Sequence, residues 1–310
     1  MKTARTYDPG HRGLVGSALV RRLERPGQHD LLLRTRAELD LEDGEAVDSF
    51  FARERPSLVY LAAARVGGIL ANRSYPADFL RSNLAIQSNV IDAARRYQAE
   101  KLLFLGSSCV YPKHAPQPIQ EEYLLSGPLE PTNRAYAIAK IAGLELCRTY
   151  HEQYGCRFIS VMPTNLYGPN DNFDYESSHV LPALLRKFHE ARLAGAGEVV
   201  VWGSGTPRRE FLHVDDLADA CVFLMERYEQ SDPINIGTGS DVSIAELAAL
   251  IADVVGYRGE IVYDRTKPDG TPRKLLDVTR LKTLGWAPRI GLREGIEQTY
   301  EWYASSRVLV

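Results

Sequence analysis

Cysteine is scarce in this sequence, and none of it is paired. Among 310 residues only Cys109, Cys147, Cys156 and Cys221 occur, and no two stand at C-x-x-C spacing. That argues against a zinc knuckle and a disulfide framework, so free thiols and no metal are expected. Long apolar runs are missing as well. No stretch approaches the roughly 18 consecutive apolar residues that cross a bilayer, and the N-terminal MKTARTYDPG lacks the apolar segment of a secretory signal. The expectation is a cytoplasmic protein without a membrane partner. Basic charge is not in excess either: 37 Lys and Arg against 40 Asp and Glu leave a net charge of -3. The electrostatic footprint of a nucleic-acid binder is therefore absent. Repeats and low-complexity tracts do not occur. What is present is a composition of 45% hydrophobic and 25% charged residues, ordinary for a globular enzyme that acts on a small molecule.

Strand-like and helix-like segments alternate through the first half, the pattern of stacked βαβ units. Leu14, Val15, Ala18, Leu19 and Leu23 recur at helical spacing, and residues 29–35, 57–64 and 101–108 read as strands. Helices are expected near 77–97 and 134–154, with a strand at 157–163. Residues 164–179, rich in Asn, Asp, Gly and Pro, suit a loop that leaves a sheet and builds a site. Beyond it follow a helix near 180–193, a strand at 198–203, a polar turn at 204–216, and a strand and turn at 234–239. This predicts an α/β fold with a Rossmann-type, doubly wound parallel sheet and a smaller C-terminal α/β part. The first domain takes residues 1–165, completed by about 207–237, and the second takes 166–206 and 238–310.

Three glycines, Gly10, Gly13 and Gly16, precede the first helix. Without side chains they let backbone approach a pyrophosphate, which the helix N-terminus then faces with free amides; the same spacing also occurs in turns that bind nothing. Arg36 lies beyond the second strand and Arg12 within the loop. A guanidinium there suits a 2′-phosphate and favours NADP over NAD, while Asp40 suits a ribose hydroxyl. Solvated surface arginines remain the alternative. Tyr136 and Lys140, in NRAYAIAKIAG, share one face of a helix, so the ammonium is expected to lower the phenol's pKa towards working pH. Ser107 and Ser108 end the fourth strand, at the sheet edge where α/β folds place ligands. Either Asp215 or Asp216 is expected to cap the helix that contains LADACVFL.

The glycine loop, strand-end serine and Y-x-x-x-K, in this order, resemble the extended short-chain dehydrogenase/reductase family. Longer segments carry the resemblance further: GSSCVYPKHAPQPI (106–119), EPTNRAYAIAKIAG (130–143), SVMPTNLYGPNDNF (160–173), VVWGSGTPRREFLHVDDLA (200–218) and KPDGTPRKLLDVTRLKTLGW (267–286). They are similar, over essentially the whole chain, to those members that convert GDP-4-keto-6-deoxy-D-mannose to GDP-L-fucose. The resemblance implies NADPH-dependent 3,5-epimerisation and 4-reduction. Inverting two carbons beside a ketone needs two acid/base groups, and the resemblance assigns these to Cys109 and His179, otherwise a small buried hydrophobe and a loop histidine. It makes Tyr136 the proton donor, has Lys140 hold the nicotinamide ribose, and has Ser107 steady the substrate oxygen.

Around the cofactor it implies Gly10, Arg12, Gly13, Leu14, Val15, Gly16, Arg36, Asp40, Leu41, Leu105, Gly106, Lys140, Pro163, Asn165, Leu166 and His179. For the GDP end it points to Lys187, Trp202, Arg209 and Asp269. A homodimer through helices near Tyr136 is also implied. Two alternatives stand beside this reading: an epimerase/reductase for another nucleotide-linked keto-deoxy sugar, such as that on the route to GDP-colitose, and a non-catalytic NADP-binding sensor. One stretch breaks local rules. Tyr7-Asp8-Pro9 leads into the glycines where an apolar strand belongs, so the first strand, Thr3 to Asp8, is expected to be short or distorted and cofactor affinity reduced.

Overall fold

Buried aliphatic and aromatic residues on both faces of short strands build a six-stranded sheet. The structure, a computed structural model, describes residues 4–24, 29–175, 177–267 and 269–307. The elements run β1 (Ala4–Tyr7), α1 (Leu14–Leu23), β2 (His29–Leu32), α2 (Gly44–Glu54), β3 (Leu58–Leu61), α3 (Ile69–Ser74), α4 (Pro76–Arg96), β4 (Lys101–Leu105), α5 (Arg134–Tyr154) and β5 (Phe158–Pro163). There follow β6 (Asn165–Tyr167), α6 (Val180–Ala194), β7 (Glu198–Trp202), β8 (Arg208–Arg209), β9 (Phe211–His213), α7 (Val214–Arg227) and β10 (Ile234–Ile236). The chain closes with β11 (Val242–Ser243), α8 (Ile244–Val255), β12 (Glu260–Asp264), β13 (Arg273–Lys274), α9 (Thr279–Thr283) and α10 (Leu292–Arg307).

The large sheet has the order β10-β5-β4-β3-β1-β2, all parallel. Side chains alternate between its faces. Val59, Leu61, Leu102 and Phe104 pack beneath α2, α4 and α5, whereas Tyr60, Leu103, Leu105 and Ile159 pack beneath α1 and α7. A third core gathers α6, α8 and α10 around Val199 and Val201 of β7, which pairs in parallel with β12. The order of winding reverses between β1 and β3, with β2 added on one side and β3 on the other, a switch point of the kind at which such sheets leave a crevice.

The first strand meets one half of the expectation and not the other. It is short but regular: Ala4 to Tyr7 pair in unbroken register with His29 to Leu32, and Thr6 and Tyr7 with Leu58 and Val59. Thr3 lies outside the described residues. The strand ends before Pro9, so the missing proline amide leaves no gap in the ladder. Asp8, however, is fully buried with neither carboxyl oxygen hydrogen-bonded. Helix α2 was not anticipated, though Asp43 caps it by accepting from the amides of Glu45 and Ala46. Nor is Asp215 or Asp216 the cap of α7. His213 holds that position, its ring accepting from the Asp215 amide at 3.3 Å. Asp215 pairs with Arg21, while Asp216 accepts from the amides of Arg289 and Ile290.

Candidate active site

A cleft of about 1,780 Å³ opens at the carboxyl ends of the parallel strands. The glycine loop forms one wall. Gly10 has φ +107°, a region that disfavours side chains, and a Cβ on Gly16 would lie 2.2 Å from the Gly10 carbonyl oxygen. Gly13 begins α1 with no side-chain cap, so the first-turn amides at the cleft are free for an anion. Arg12 and Arg36 border the same wall. The largely exposed Arg36 pairs with Glu42 at 3.1 Å and Asp40 at 3.5 Å, contacts weak enough to yield to a phosphate. A bare helix start, two guanidinium groups and an obligate glycine turn fit a phosphorylated dinucleotide. Leu14, Val15, Leu41, Leu105, Gly106, Pro163, Asn165 and Leu166 also line the cleft.

Four side chains meet where β4 ends and α5 begins. Ser107 caps a single 3₁₀ turn, Ser108–Val110, and its Oγ accepts from the Cys109 thiol at 3.1 Å and more weakly from the Cys109 amide at 3.4 Å. Lys140 is buried; its Nζ donates to the Leu105 carbonyl at 2.7 Å and lies 4.7 Å from the Phe104 ring centroid and 5.8 Å from that of Tyr136. Burial pushes this ammonium down to about 8, against the opposing pull of Cys109 and Cys147. Tyr136 corrects the sequence reading. Its phenol is raised above the ordinary tyrosine value, first by burial and then by Cys109, and Lys140, whose proton is spent on Leu105, does not reverse this. The phenol is thus held protonated at neutral pH, the form required of a proton donor.

His179 approaches from the opposite wall. It precedes α6 without spending its imidazole as a cap, and desolvation, followed by the Lys274 ammonium, lowers its pKa. Ser107, Cys109, Tyr136, Lys140 and His179 therefore border one cleft. At its far end Trp202 is 66% exposed. Lys187 and Lys267 hold their ammonium groups 5.2 and 5.5 Å from its ring centroid. Lys187 itself is not among the cleft-lining residues; its Nζ donates to the Val200 carbonyl. Asp269 accepts from the Ser204 amide and hydroxyl, which lowers its pKa. Arg209 lines the cleft with no ion pair among the described residues, and burial lowers its pKa.

Lys274 and Asp171 are among the cleft residues that escaped the sequence reading. Lys274 borders the cleft in β13, in register with Arg209; a lysine in a two-residue strand looks like surface charge until its partner strand is known. Asp171 is pushed up to about 7 by burial, opposed only by the Asn172 amide. It sits in the polar loop whose role was legible but whose individual groups were not. Among the described residues no helix is long and apolar enough to cross a membrane, and no cluster of His, Cys, Asp or Glu could hold a metal.

Comparison with known proteins gives this geometry a context. The model of the NAD dependent epimerase/dehydratase family matches residues 9–237. A putative GDP-L-fucose synthase 2 from Arabidopsis thaliana is 61% identical over 307 residues, 99% of this chain and 94% of that one. The GDP-L-fucose synthase of Escherichia coli (strain K12) is 58% identical over 316 residues, 99% of this chain and 98% of that one. The GDP-L-colitose synthase of Yersinia pseudotuberculosis is 36% identical over 300 residues, 96% of this chain and 97% of that one. Among solved structures, a GDP-L-fucose synthetase from Naegleria fowleri bound to NADP superimposes with a TM-score of 0.93 at 30% identity, over 99% of this chain and 96% of that one.

Proposed function

Since this chain belongs to the NAD dependent epimerase/dehydratase family, and within it to the GDP-L-fucose synthases, we propose that it converts GDP-4-keto-6-deoxy-D-mannose to GDP-L-fucose by 3,5-epimerisation and NADPH-dependent 4-reduction. The observation that carries this reading is the meeting of a thiol, an imidazole, a protonated phenol and a buried ammonium around one cleft. A simple ketone reductase needs the last two alone; the first two are what inversion beside the carbonyl adds. The 36% identity to the colitose enzyme, against 58% to the fucose enzyme, favours the substrate of the fucose enzyme.

The glycine loop with the start of α1 holds the pyrophosphate, and Arg12 and Arg36 take the 2′-phosphate. Cys109 and His179 act first, while the intact ketone acidifies the flanking C–H groups, one removing a proton and the other returning one to the opposite face; NADPH, when bound, would then supply the hydride for the carbonyl carbon. His179, with its lowered pKa, is neutral and free to accept. Tyr136 gives its proton to the ketone oxygen as reduction proceeds, while Ser107 donates a hydrogen bond to that oxygen. Lys140, anchored on the Leu105 carbonyl, keeps its remaining protons for the nicotinamide ribose. At the other end Arg209 pairs with the diphosphate, Trp202 and Lys187 pack along the nucleotide, and Asp269 accepts from its hydroxyl or base N–H groups.

In this reading residues 1–165 and about 207–237 form the cofactor part, 166–206 and 238–310 the substrate part, and the enzyme works as a cytoplasmic homodimer. The test supplies purified protein with NADPH and GDP-4-keto-6-deoxymannose. NADPH oxidation with formation of GDP-L-fucose is expected, and its absence would refute the reading. The sensor alternative wins only if wild type and Tyr136→Phe are equally inert while both bind NADPH.

A further inference from the structure

Glu210 stands at the junction of β8 and β9 with no exposed surface, and none of the chemistry above uses it. A buried carboxylate is costly unless donors fill its lone pairs. Here two segments remote in sequence fill them. Oε1 accepts from the amides of Thr238 and Gly239, each at 2.7 Å, and from the Thr238 hydroxyl at 3.3 Å. Oε2 accepts from the Leu276 amide at 3.0 Å. The first set lies just past β10, the edge strand of the large sheet; the second lies just past β13. Gly237 permits the approach, because a Cβ there would stand 2.4 Å from Oε1.

The backbone of Glu210 does separate work. Its carbonyl accepts from Asn165 Nδ2 at 2.7 Å and Thr164 Oγ1 at 3.3 Å, both on the cofactor side. The side chain thus serves β13, and the main chain serves the cofactor wall.

Strand β13 needs such an anchor. It has two residues, paired Arg273 with Arg208, which Asp241 bridges, and Lys274 with Arg209; this second pair has no carboxylate between its charges, so the end of so short a ladder repels itself. Arg209 and Lys274 both line the cleft, and neither has an ion pair among the described residues. We propose that Glu210 is a positioning residue that latches β13 to the edge of the six-stranded sheet and so sets the spacing of Arg209 and Lys274 for the diphosphate of the substrate. This rests on the GDP-sugar reading above.

The experiment compares wild type with Glu210→Gln by calorimetric titration with GDP alone and with NADPH alone. A glutamine keeps one acceptor oxygen, so in either orientation its NH₂ faces a backbone amide and one arm of the latch is lost. GDP affinity is expected to fall about tenfold or more, and NADPH affinity to stay within about threefold, because the carbonyl that holds residues 164 and 165 is retained. In turnover, the loss falls on KM for the GDP-sugar rather than on kcat. Equal losses for both ligands, or no loss for GDP, overturn the latch. Wild type that binds NADPH but not GDP overturns the GDP-sugar reading and the latch with it. Should Glu210→Gln not fold, Gly237→Ala displaces the same carboxylate without removing it, and is read by the same two titrations.

Discussion

Replacing Asp8 with isoleucine should stabilise this protein, and by more at neutral than at acidic pH. The carboxyl group is fully buried, has no hydrogen-bond donor on either oxygen, and is raised well above its ordinary 3.8 by burial. The groups that feel it are Tyr7 on its own strand, Tyr60 on β3 and Cys221 on α7; Tyr60 also feels Arg22 and Glu226. None of them donates to the Asp8 carboxyl. The sign follows from the order of titration: as pH rises past about 4, the unfolded chain releases this proton while the folded chain retains it. Stability linked to Asp8 is complete below that pH and is lost as pH climbs towards the folded value, by up to about 1.4 kcal/mol per pH unit. A neutral buried acid without a partner costs about 1–3 kcal/mol in addition. At roughly 2 °C per kcal/mol for a chain of this size, Asp8→Ile should melt a few degrees above wild type at pH 4, and the gap should widen by several degrees at pH 7. Thermal unfolding followed from pH 4 to 8 decides it. Parallel curves for the two proteins would mean that Asp8 is not held as a buried acid, and the reasoning fails.

Three further outcomes test the site. Cys109→Ser should abolish solvent-deuterium exchange into the keto-sugar while NADPH still binds; undiminished exchange removes Cys109 from epimerisation. Arg36→Glu should weaken NADPH by about tenfold or more and NADH far less, and equal losses in the two titrations would take Arg36 away from the 2′-phosphate. Lys140, held at about 8 by burial, loses its charge as pH rises through that value. Single-turnover reduction should therefore decline above about pH 8, and a flat profile to pH 9.5, about 1.5 units above that midpoint, would show that the ammonium is not needed.

What the sequence displayed and what it concealed divide along a physical line. The glycine turn, the strand-end serine and the tyrosine and lysine four residues apart were legible because each is a local constraint: a positive φ, a strand terminus, one helical turn. The substrate wall was not, because β6, β8, β9 and β13 have two or three residues each, too few for periodicity to register. Their existence depends on contacts such as those Glu210 makes across 28 to 66 positions. Tyr136 shows the same division within one residue. Its placement beside Lys140 followed from spacing, but the direction of its pKa did not, because burial is a property of the assembled fold and outweighs a neighbour whose proton is already engaged. At the N-terminus the conflict seen in Tyr7-Asp8-Pro9 is only half absorbed. Ending β1 at Tyr7 spares Pro9 any demand for an amide, yet the same geometry drives Asp8 into the core between β3 and α7, so the local violation survives as a titration. A buried acid two residues before Gly10 makes the stability of the cofactor loop depend on pH, which a strand of apolar residues would not do.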